Sequence, residues 1–565
     1  MKRQYDQRIL FFIFLIVPLL ILAPILLWPH YGLFSDADQV IWFPKAFLGD
    51  PLTGLKRILH PMDDGRWNPF FYGLTIFIYW IFPESARAFY AVQGVMLLIT
   101  CLIVIYILHK LTLKNLPSLL GVILLCTSSS IFENFYTLDK LEPRTTLFGA
   151  LILCNLFNTL IQVNDAKKIH WNFILIQIIS GIALVFTKET GAYLAAAILL
   201  TWIIVRLKGG NQIRMNKVIG ASALIQLLIV ISFYTLFKIL MIDGNNRYIS
   251  YPITIDLVSS NILYYFKSSP ELILGISLAF YWIFSITIGP WKNQREICNI
   301  VLLLISLSLV GYFSGIVLWR WPLDYYLLPA HMLIAILIPL SLYRLNQSKF
   351  YERIYLVLNT CLCALFIGLI IFFGARIYSG FFIYQQDALK DDLALYLARP
   401  EYLFRRYVLT FSEPNAAEVG ERIKFFSNLK RPSSKNIDLF NFWELPMDIN
   451  RSINRFNLSV GVPPPVDQLV AATNLDNKFL IWKYSDGVTK WPNSMWSYDE
   501  LRKGDLLLIP FSKNLPIWVH ARGAGMYVEN LYLPKSLVLQ PIGEVKKDLG
   551  STTVGWKLYE VKVLP

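Results

Sequence analysis

The sequence predicts an α-helical polytopic membrane protein of about eleven transmembrane helices, followed by a C-terminal extracytoplasmic α+β domain. Three observations predict it. Of 565 residues, 55% are hydrophobic and only 16% are charged, and the mean hydropathy is +0.50, which is too apolar for a soluble chain of this length. Apolar runs of the roughly 20 residues needed to cross about 30 Å of hydrocarbon recur from Ile9 to Gly374 and then stop. Lys and Arg also gather in alternate loops between these runs, as basic residues do on the cytoplasmic side of a membrane.

The apolar runs place spans near residues 9–28, 86–108, 115–131, 144–163, 171–187, 190–206, 218–241, 271–289, 297–318, 323–343 and 354–374. With the N-terminus inside, the inner segments hold basic residues such as Lys2, Arg3, Lys110, Lys167, Lys168, Arg206, Arg214 and Arg344, against Asp6, Asp165, Glu296 and Glu352. Acidic residues slightly outnumber basic ones on the other side. An odd number of crossings then puts the tail outside the cytoplasm. Pro69–Phe82 is excluded from the count because it is short and carries Tyr72, Tyr79 and Trp80, aromatics that favour the interface. Counting it would reverse every later loop. It reads as a helix lying on the outer membrane surface.

The protein is thus expected in the plasma (inner) membrane, with residues 1–375 as the membrane domain and 376–565 as a soluble extracytoplasmic domain. Lys2 and Arg3 before an apolar stretch look like a signal peptide, but the run is long and no small-residue cleavage site follows. It reads as a retained anchor. The net charge of +14 resides mainly in the short inner loops, where it is a topological signal, so no nucleic-acid partner is implied. All six cysteines, Cys101, Cys126, Cys154, Cys298, Cys361 and Cys363, fall in predicted spans, and the tail has none. It relies on a packed core without disulfides.

The tail begins with helical periodicity over Asp387–Phe411 and Ala416–Leu429. After Pro463-Pro464-Pro465 come short β-type runs at Lys478–Tyr484, Asp505–Pro510, Met526–Leu533 and Val554–Val563. Its charge is nearly balanced, as on an ordinary globular surface.

Polar residues concentrate at the predicted outer helix ends. The first outer loop carries Asp36, Asp38, Asp50, Asp63, Asp64 and Arg66; later ones carry Glu133, Asp139, Glu142, Arg144, Lys188, Glu189, Asp243, Arg247, Arg320 and Asp324. Brought together, such groups would form a site with both acids and cations. Each has a plainer reading. Asp36 and Asp38 can begin a solvated loop or cap a helix, Lys188-Glu189 can be an ion pair within a turn, and Arg66 and Arg320 can anchor at the lipid headgroups. Taken singly, Asp139, Glu142 and Asp324 read as structural.

Five segments together resemble the GT-C superfamily of integral membrane glycosyltransferases, which includes the protein O-mannosyltransferases and the enzymes that add aminoarabinose to lipid A. They are the acidic pair Asp36-Ala37-Asp38, the aromatic segment Arg66-Trp67-Asn68-Pro69-Phe70-Phe71-Tyr72, Arg87, the turn Thr187-Lys188-Glu189-Thr190, and the tyrosine-rich helix entry Trp321-Pro322-Leu323-Asp324-Tyr325-Tyr326-Leu327-Leu328-Pro329. The sequence departs from several members in having Asp-x-Asp instead of Asp-Glu, and Asn68-Pro69 instead of Pro-Pro or Lys-Pro. The resemblance implies transfer of a sugar from a polyprenyl-phosphate donor to a glycan, lipid or protein acceptor at the outer face. Asp36 or Asp38 would take the acceptor's proton, and Arg66, Lys188, Glu189 and Arg320 would serve the donor and its lipid phosphate. An Asp-x-Asp pair can also hold a divalent cation, Mg or Mn, and metal use is left open.

Two other classes compete. A polymerase or ligase of surface polysaccharide would use a lipid-linked oligosaccharide, but its large loop usually lies between late spans, whereas here the soluble part is terminal. A flippase or transporter should show charges buried mid-helix and repeated halves. Lys238 lies near a helix end and no repeat is visible.

Overall fold

The computed structural model describes residues 16, 18–19, 48–52, 58, 67–83, 86–135, 140–165, 169–208, 213–240, 253–289, 296–319, 324–346, 407–409, 503–504, 506–513, 538–549 and 552–563. The protein is a polytopic helical membrane protein with a small C-terminal sheet. Among the described residues, the helices form one compact unit and the strands another.

In chain order the helices are α1 (Pro69–Ile81), α2 (Ala86–Thr112), α3 (Asn115–Cys126), α4 (Ser130–Phe135), α5 (Glu142–Asn164), α6 (Trp171–Thr187), α7 (Ala192–Leu207), α8 (Ile213–Leu240), α9 (Ile255–Ser268), α10 (Glu271–Ile288), α11 (Glu296–Val317) and α12 (Leu328–Asn346). Short 3-10 turns at Glu189–Gly191 and Asp324–Leu327 lead into α7 and α12. Seven helical segments among the described residues are long and apolar enough to cross a bilayer, while α1, α3 and α6 are apolar but shorter. The expected spans at 9–28 and 354–374 lie outside the described residues.

Two features depart from the expected order of spans. The run at 115–131 breaks after Cys126, and a second short helix begins at Ser130. The interruption is Thr127-Ser128-Ser129, whose hydroxyls compete for backbone hydrogen bonds: Thr127 Oγ1 donates to the Ile123 carbonyl at 2.5 Å. The second is α9, which lies between the expected spans at 218–241 and 271–289. Its signals are local ones: Thr254 accepts from the Leu257 N–H at 3.2 Å as an N-cap, with Asp256 in the first turn.

Burial sorts the helices into layers. Of the apolar window in Tyr325–Leu345, 89% is buried, against 22% in Ile213–Leu240. Helix α12 is therefore the axis of the bundle, packed by α2, α3, α5, α10 and α11, and it is apolar all round as a buried helix must be. Helix α8 instead exposes Leu224, Leu228, Ile231, Leu236 and Ile239, a face suited to lipid. Where α3 meets α12, Gly121 makes the approach possible, since a Cβ there would lie 2.7 Å from the Ala335 carbonyl oxygen. Buried amides tie α5, α6 and α8 together: Gln177 Nε2 donates to the Ile152 carbonyl at 3.1 Å, and Ser222 Oγ donates to Gln177 Oε1 at 2.8 Å.

The segment Pro69–Phe82 is helical, as expected, as α1. One face is buried through Phe71, Tyr72, Thr75, Ile76, Ile78 and Tyr79, and the other exposes Phe77, Trp80, Ile81 and Phe82.

The second unit contains a four-stranded sheet, β1 (Tyr407–Leu409), β2 (Leu506–Lys513), β3 (Val538–Leu549) and β4 (Thr552–Val563), in the order β1-β2-β4-β3. Strand β1 pairs parallel with β2; the other pairings are antiparallel. The runs expected at Asp505–Pro510 and Val554–Val563 are strands β2 and β4. Tyr407–Leu409, expected to be helical, is a strand instead, because pairing with Leu506–Leu508 satisfies its backbone. Strand β3 was hidden by Pro541, Gly543 and its charges; the register shifts between Pro541 and Gly543, an irregularity that accommodates the proline. The expected helix at 416–429 and strands at 478–484 and 526–533 lie outside the described residues.

Candidate functional site

Polar side chains converge at the end of the bundle that holds the start of α5, the α6 to α7 turn and the 3-10 turn before α12. Helix α6 ends at Thr187, and Lys188 takes an extended conformation (φ −156°, ψ 132°) before the 3-10 turn begins. That break turns the Lys188 side chain into the bundle. The following Gly191 is needed because a Cβ there would stand 2.7 Å from Leu184 Cγ.

Lys188 is 7% exposed and donates to Glu142 Oε1; Glu142 is 1% exposed. The ammonium also lies over the ring of Tyr326, 4.1 Å from its centroid. The plain reading of Lys188-Glu189 as an ion pair within the turn is thereby corrected. The partner of Lys188 is Glu142, brought from 46 residues earlier in the chain by the packing of α5 on α6. Glu189 is half-buried.

Glu142 opens α5, with Pro143 in the first turn fixing the helix start. Its second oxygen, Oε2, has no hydrogen-bond partner. Two residues on, Arg144 is 3% exposed, with its guanidinium carbon 4.2 Å from the centroid of Phe71 on α1. Its Nε and Nη1 are without hydrogen-bond partners, as are Thr146 Oγ1 and Thr190 Oγ1. Buried polar atoms in a folded chain are nearly always satisfied, so these atoms are open to a polar partner. Thr146 and Thr190 border a cavity of about 40 Å³ with Tyr193, Ser308 and Tyr312. That volume is enough to hold ordered water.

The aromatic segment is docked beside this cluster. Trp67 stacks on Phe233 of α8 with centroids 5.2 Å apart, and its Nε1 donates to the Ile58 carbonyl at 3.0 Å. With its amide nitrogen facing α6, Asn68 donates to the Thr187 carbonyl at 3.1 Å, directly before Lys188. Across the site, the 3-10 turn before α12 is held by α4 and α11. Asn134 Nδ2 donates to the Tyr325 carbonyl at 2.9 Å, and the Tyr312 hydroxyl donates to the Tyr326 carbonyl at 2.6 Å. Nearby, His331 Nδ1 lies 2.7 Å from Ser130 Oγ and His331 Nε2 lies 3.4 Å from Glu271 Oε1, linking α12 to α4 and α10.

Of the candidate catalytic and donor-binding residues, Lys188 and Glu189 are described, and Asp36, Asp38, Arg66 and Arg320 lie outside the described residues. Among the described residues, no group of three or more His, Cys, Asp or Glu side chains forms a metal-binding cluster; the Asp36 and Asp38 pair is outside that search. Glu142 and Arg144 belong to the outer polar groups expected to gather, and Tyr326 to the tyrosine-rich helix entry, but none of them, nor Asn134, is among the candidate catalytic or donor-binding residues. Glu142-Pro143-Arg144, two charges flanking a helix-starting proline at the end of an apolar span, was the legible signal for the first two.

No protein-family model matches the chain, and no curated protein matches it. Among solved structures, the chain is similar to ArnT from Cupriavidus metallidurans bound to undecaprenyl phosphate, at 11% identity and a TM-score of 0.43, covering 97% of each chain. It is also similar to the Archaeoglobus fulgidus oligosaccharyltransferase in its apo form, at 11% identity and a TM-score of 0.40, covering 70% of this chain and 62% of that one.

Proposed function

We propose that this protein is a membrane glycosyltransferase that moves a sugar from a polyprenyl-phosphate donor to an acceptor at the outer face of the membrane. The observation that carries this reading is the buried Lys188–Glu142 pair with the unpartnered polar atoms of Arg144, Thr146 and Thr190 beside it. Two of the segments that resemble the GT-C superfamily, the Lys188 turn and the Tyr325-Tyr326 helix entry, meet there through the contact of Lys188 with Tyr326. A third, Trp67-Asn68, reaches Thr187 at the same turn.

In this reading the acceptor hydroxyl gives its proton to Asp36 or Asp38 as its oxygen attacks the anomeric carbon. The bond from that carbon to the phosphate oxygen breaks, and the prenyl phosphate departs with the electron pair. Lys188, Arg66 and Arg320 stabilise the negative charge of the departing phosphate. Glu142 pairs with Lys188 and holds its ammonium at this end of the bundle.

The test is transfer of labelled sugar from a synthetic polyprenyl-phosphate donor by the purified, membrane-reconstituted protein. Asp36→Asn or Asp38→Asn removes a proton acceptor with little change in volume, and one of them should lower kcat by about 10²-fold or more. Lys188→Ala and Arg320→Ala should raise KM for the donor. Full activity in the double variant Asp36→Asn/Asp38→Asn would refute the assignment of the base.

A further inference from the structure

We infer that Tyr325 and Tyr326 form an aromatic shelf that fixes two ammonium groups at the site, and that Tyr326 is a positioning residue acting on Lys188 through its ring. Lys140 Nζ lies 4.4 Å from the centroid of the Tyr325 ring, and Lys188 Nζ lies 4.1 Å from that of Tyr326. Adjacent residues thus each face a lysine, one from the segment before α5 and one from the α6 to α7 turn. The two rings lie against each other, with centroids 4.3 Å apart at 58°, so neither turns independently.

The shelf is also fixed from behind. Its two carbonyls are taken by different helices, Tyr325 by Asn134 Nδ2 at 2.9 Å and Tyr326 by the Tyr312 hydroxyl at 2.6 Å. Asn134 is fully buried, and Tyr312 and Tyr326 are nearly so. These side-chain donors come from α4 and α11 and tie the turn to both helices. The ring face supplies an attraction for an ammonium that strengthens as water is excluded. Glu142 supplies the countercharge to Lys188, and the ring sets where the ammonium sits. A long, flexible lysine side chain needs such a restraint to hold one position.

This inference rests on the proposed function only in assigning Lys188 to the donor. The shelf itself is tested by the rate at which N-acetoxysuccinimide acetylates Lys188 in the purified, detergent-solubilised protein, read by peptide mass spectrometry. Tyr326→Phe keeps the ring and should leave the rate unchanged. Tyr326→Leu removes the ring and should raise the rate roughly tenfold or more, in line with a desolvated cation–π contact. Tyr312→Phe deletes one oxygen behind the shelf, leaves the packing intact, and should raise the rate severalfold even where Tyr326→Leu does not fold. Equal rates in Tyr326→Leu, Tyr312→Phe and the parent protein would overturn the shelf. So would a Tyr326→Phe variant that behaves like Tyr326→Leu, because the hydroxyl would then be the active group. Donor KM in the same variants separates the two readings. A faster Lys188 reaction with unchanged KM supports the shelf and removes Lys188 from the donor site, whereas a raised KM with little change in kcat supports both.

Discussion

Breaking the Lys188–Glu142 pair provides the sharpest test of how this end of the bundle is held. The lysine is 7% exposed and the glutamate 1%, so neither charge is well solvated once its partner is removed. Removing one member of a buried pair costs about 3–5 kcal/mol, because the other remains as an uncompensated buried charge, whereas replacing both with apolar groups of similar size is close to neutral. Lys188→Met and Glu142→Leu should therefore each destabilise the protein, and the double variant should be more stable than either single one. The expected coupling is at least about 2 kcal/mol, since groups in direct contact show interaction energies of that order. The assay is thermal unfolding of the four proteins in one detergent at one scan rate. The unfolding of a large membrane protein is a rate-dependent measure, so only differences within the set are compared. The single variants should melt several degrees below the parent and the double variant above both. Additive losses, with the double variant the least stable, would refute the reasoning, because they would show two side chains contributing independently through packing.

Gly121→Val should destabilise the bundle by about 1–3 kcal/mol through overpacking, since a Cβ already meets the Ala335 carbonyl oxygen at 2.7 Å and Leu108 Cδ1 at 2.5 Å; an unchanged melting temperature would mean that α3 and α12 separate freely. A cysteine introduced into the tail, which has none of its own, should react with an impermeant thiol reagent in intact cells, and labelling only after permeabilisation would place the tail in the cytoplasm. Spin labels at Phe77 and Trp80, both exposed on α1, should report the same shallow depth in a bilayer, and a depth difference equal to their rise along a helix would show α1 crossing the membrane.

The helical architecture was legible because its cause is local: a stretch of apolar residues is helical in a bilayer wherever it occurs, since no water is present to satisfy its backbone. The limits fell where local causes compete. At Thr127–Ser129 the hydropathy continues and the hydroxyl chemistry interrupts it, so a single run became α3 and α4. Helix α9 carried a readable cap at Thr254, but it is too polar to register in a search for spans. In the tail, Pro541 and Gly543 are strand breakers by composition, yet β3 absorbs them in a register shift beside β4. Tyr407–Leu409 is a strand only because β2 lies alongside it, and no local pattern carries that information.

The site divides along the same line. Lys188 was legible because a charge in a two-residue turn between apolar spans has few structural reasons to be there. Its partner was not, because a buried ion pair is defined by which helices pack together. Glu142 and Glu189 offer the same carboxylate, and sequence proximity favours Glu189. What decides for Glu142 is the extended backbone at Lys188, which turns the side chain toward the start of α5. Tyr326 belongs to the tyrosine-rich helix entry, but the place of its ring under an ammonium depends on contacts from Asn134 and Tyr312 that lie 191 and 14 residues away from their acceptors. Arg144 makes the point from the other side. Over Phe71 it has a face for its π surface but no acceptor for Nε or Nη1. An arginine buried in this way is costly for the fold, and its placement follows from the packing of α5 on α1 and not from any local pattern.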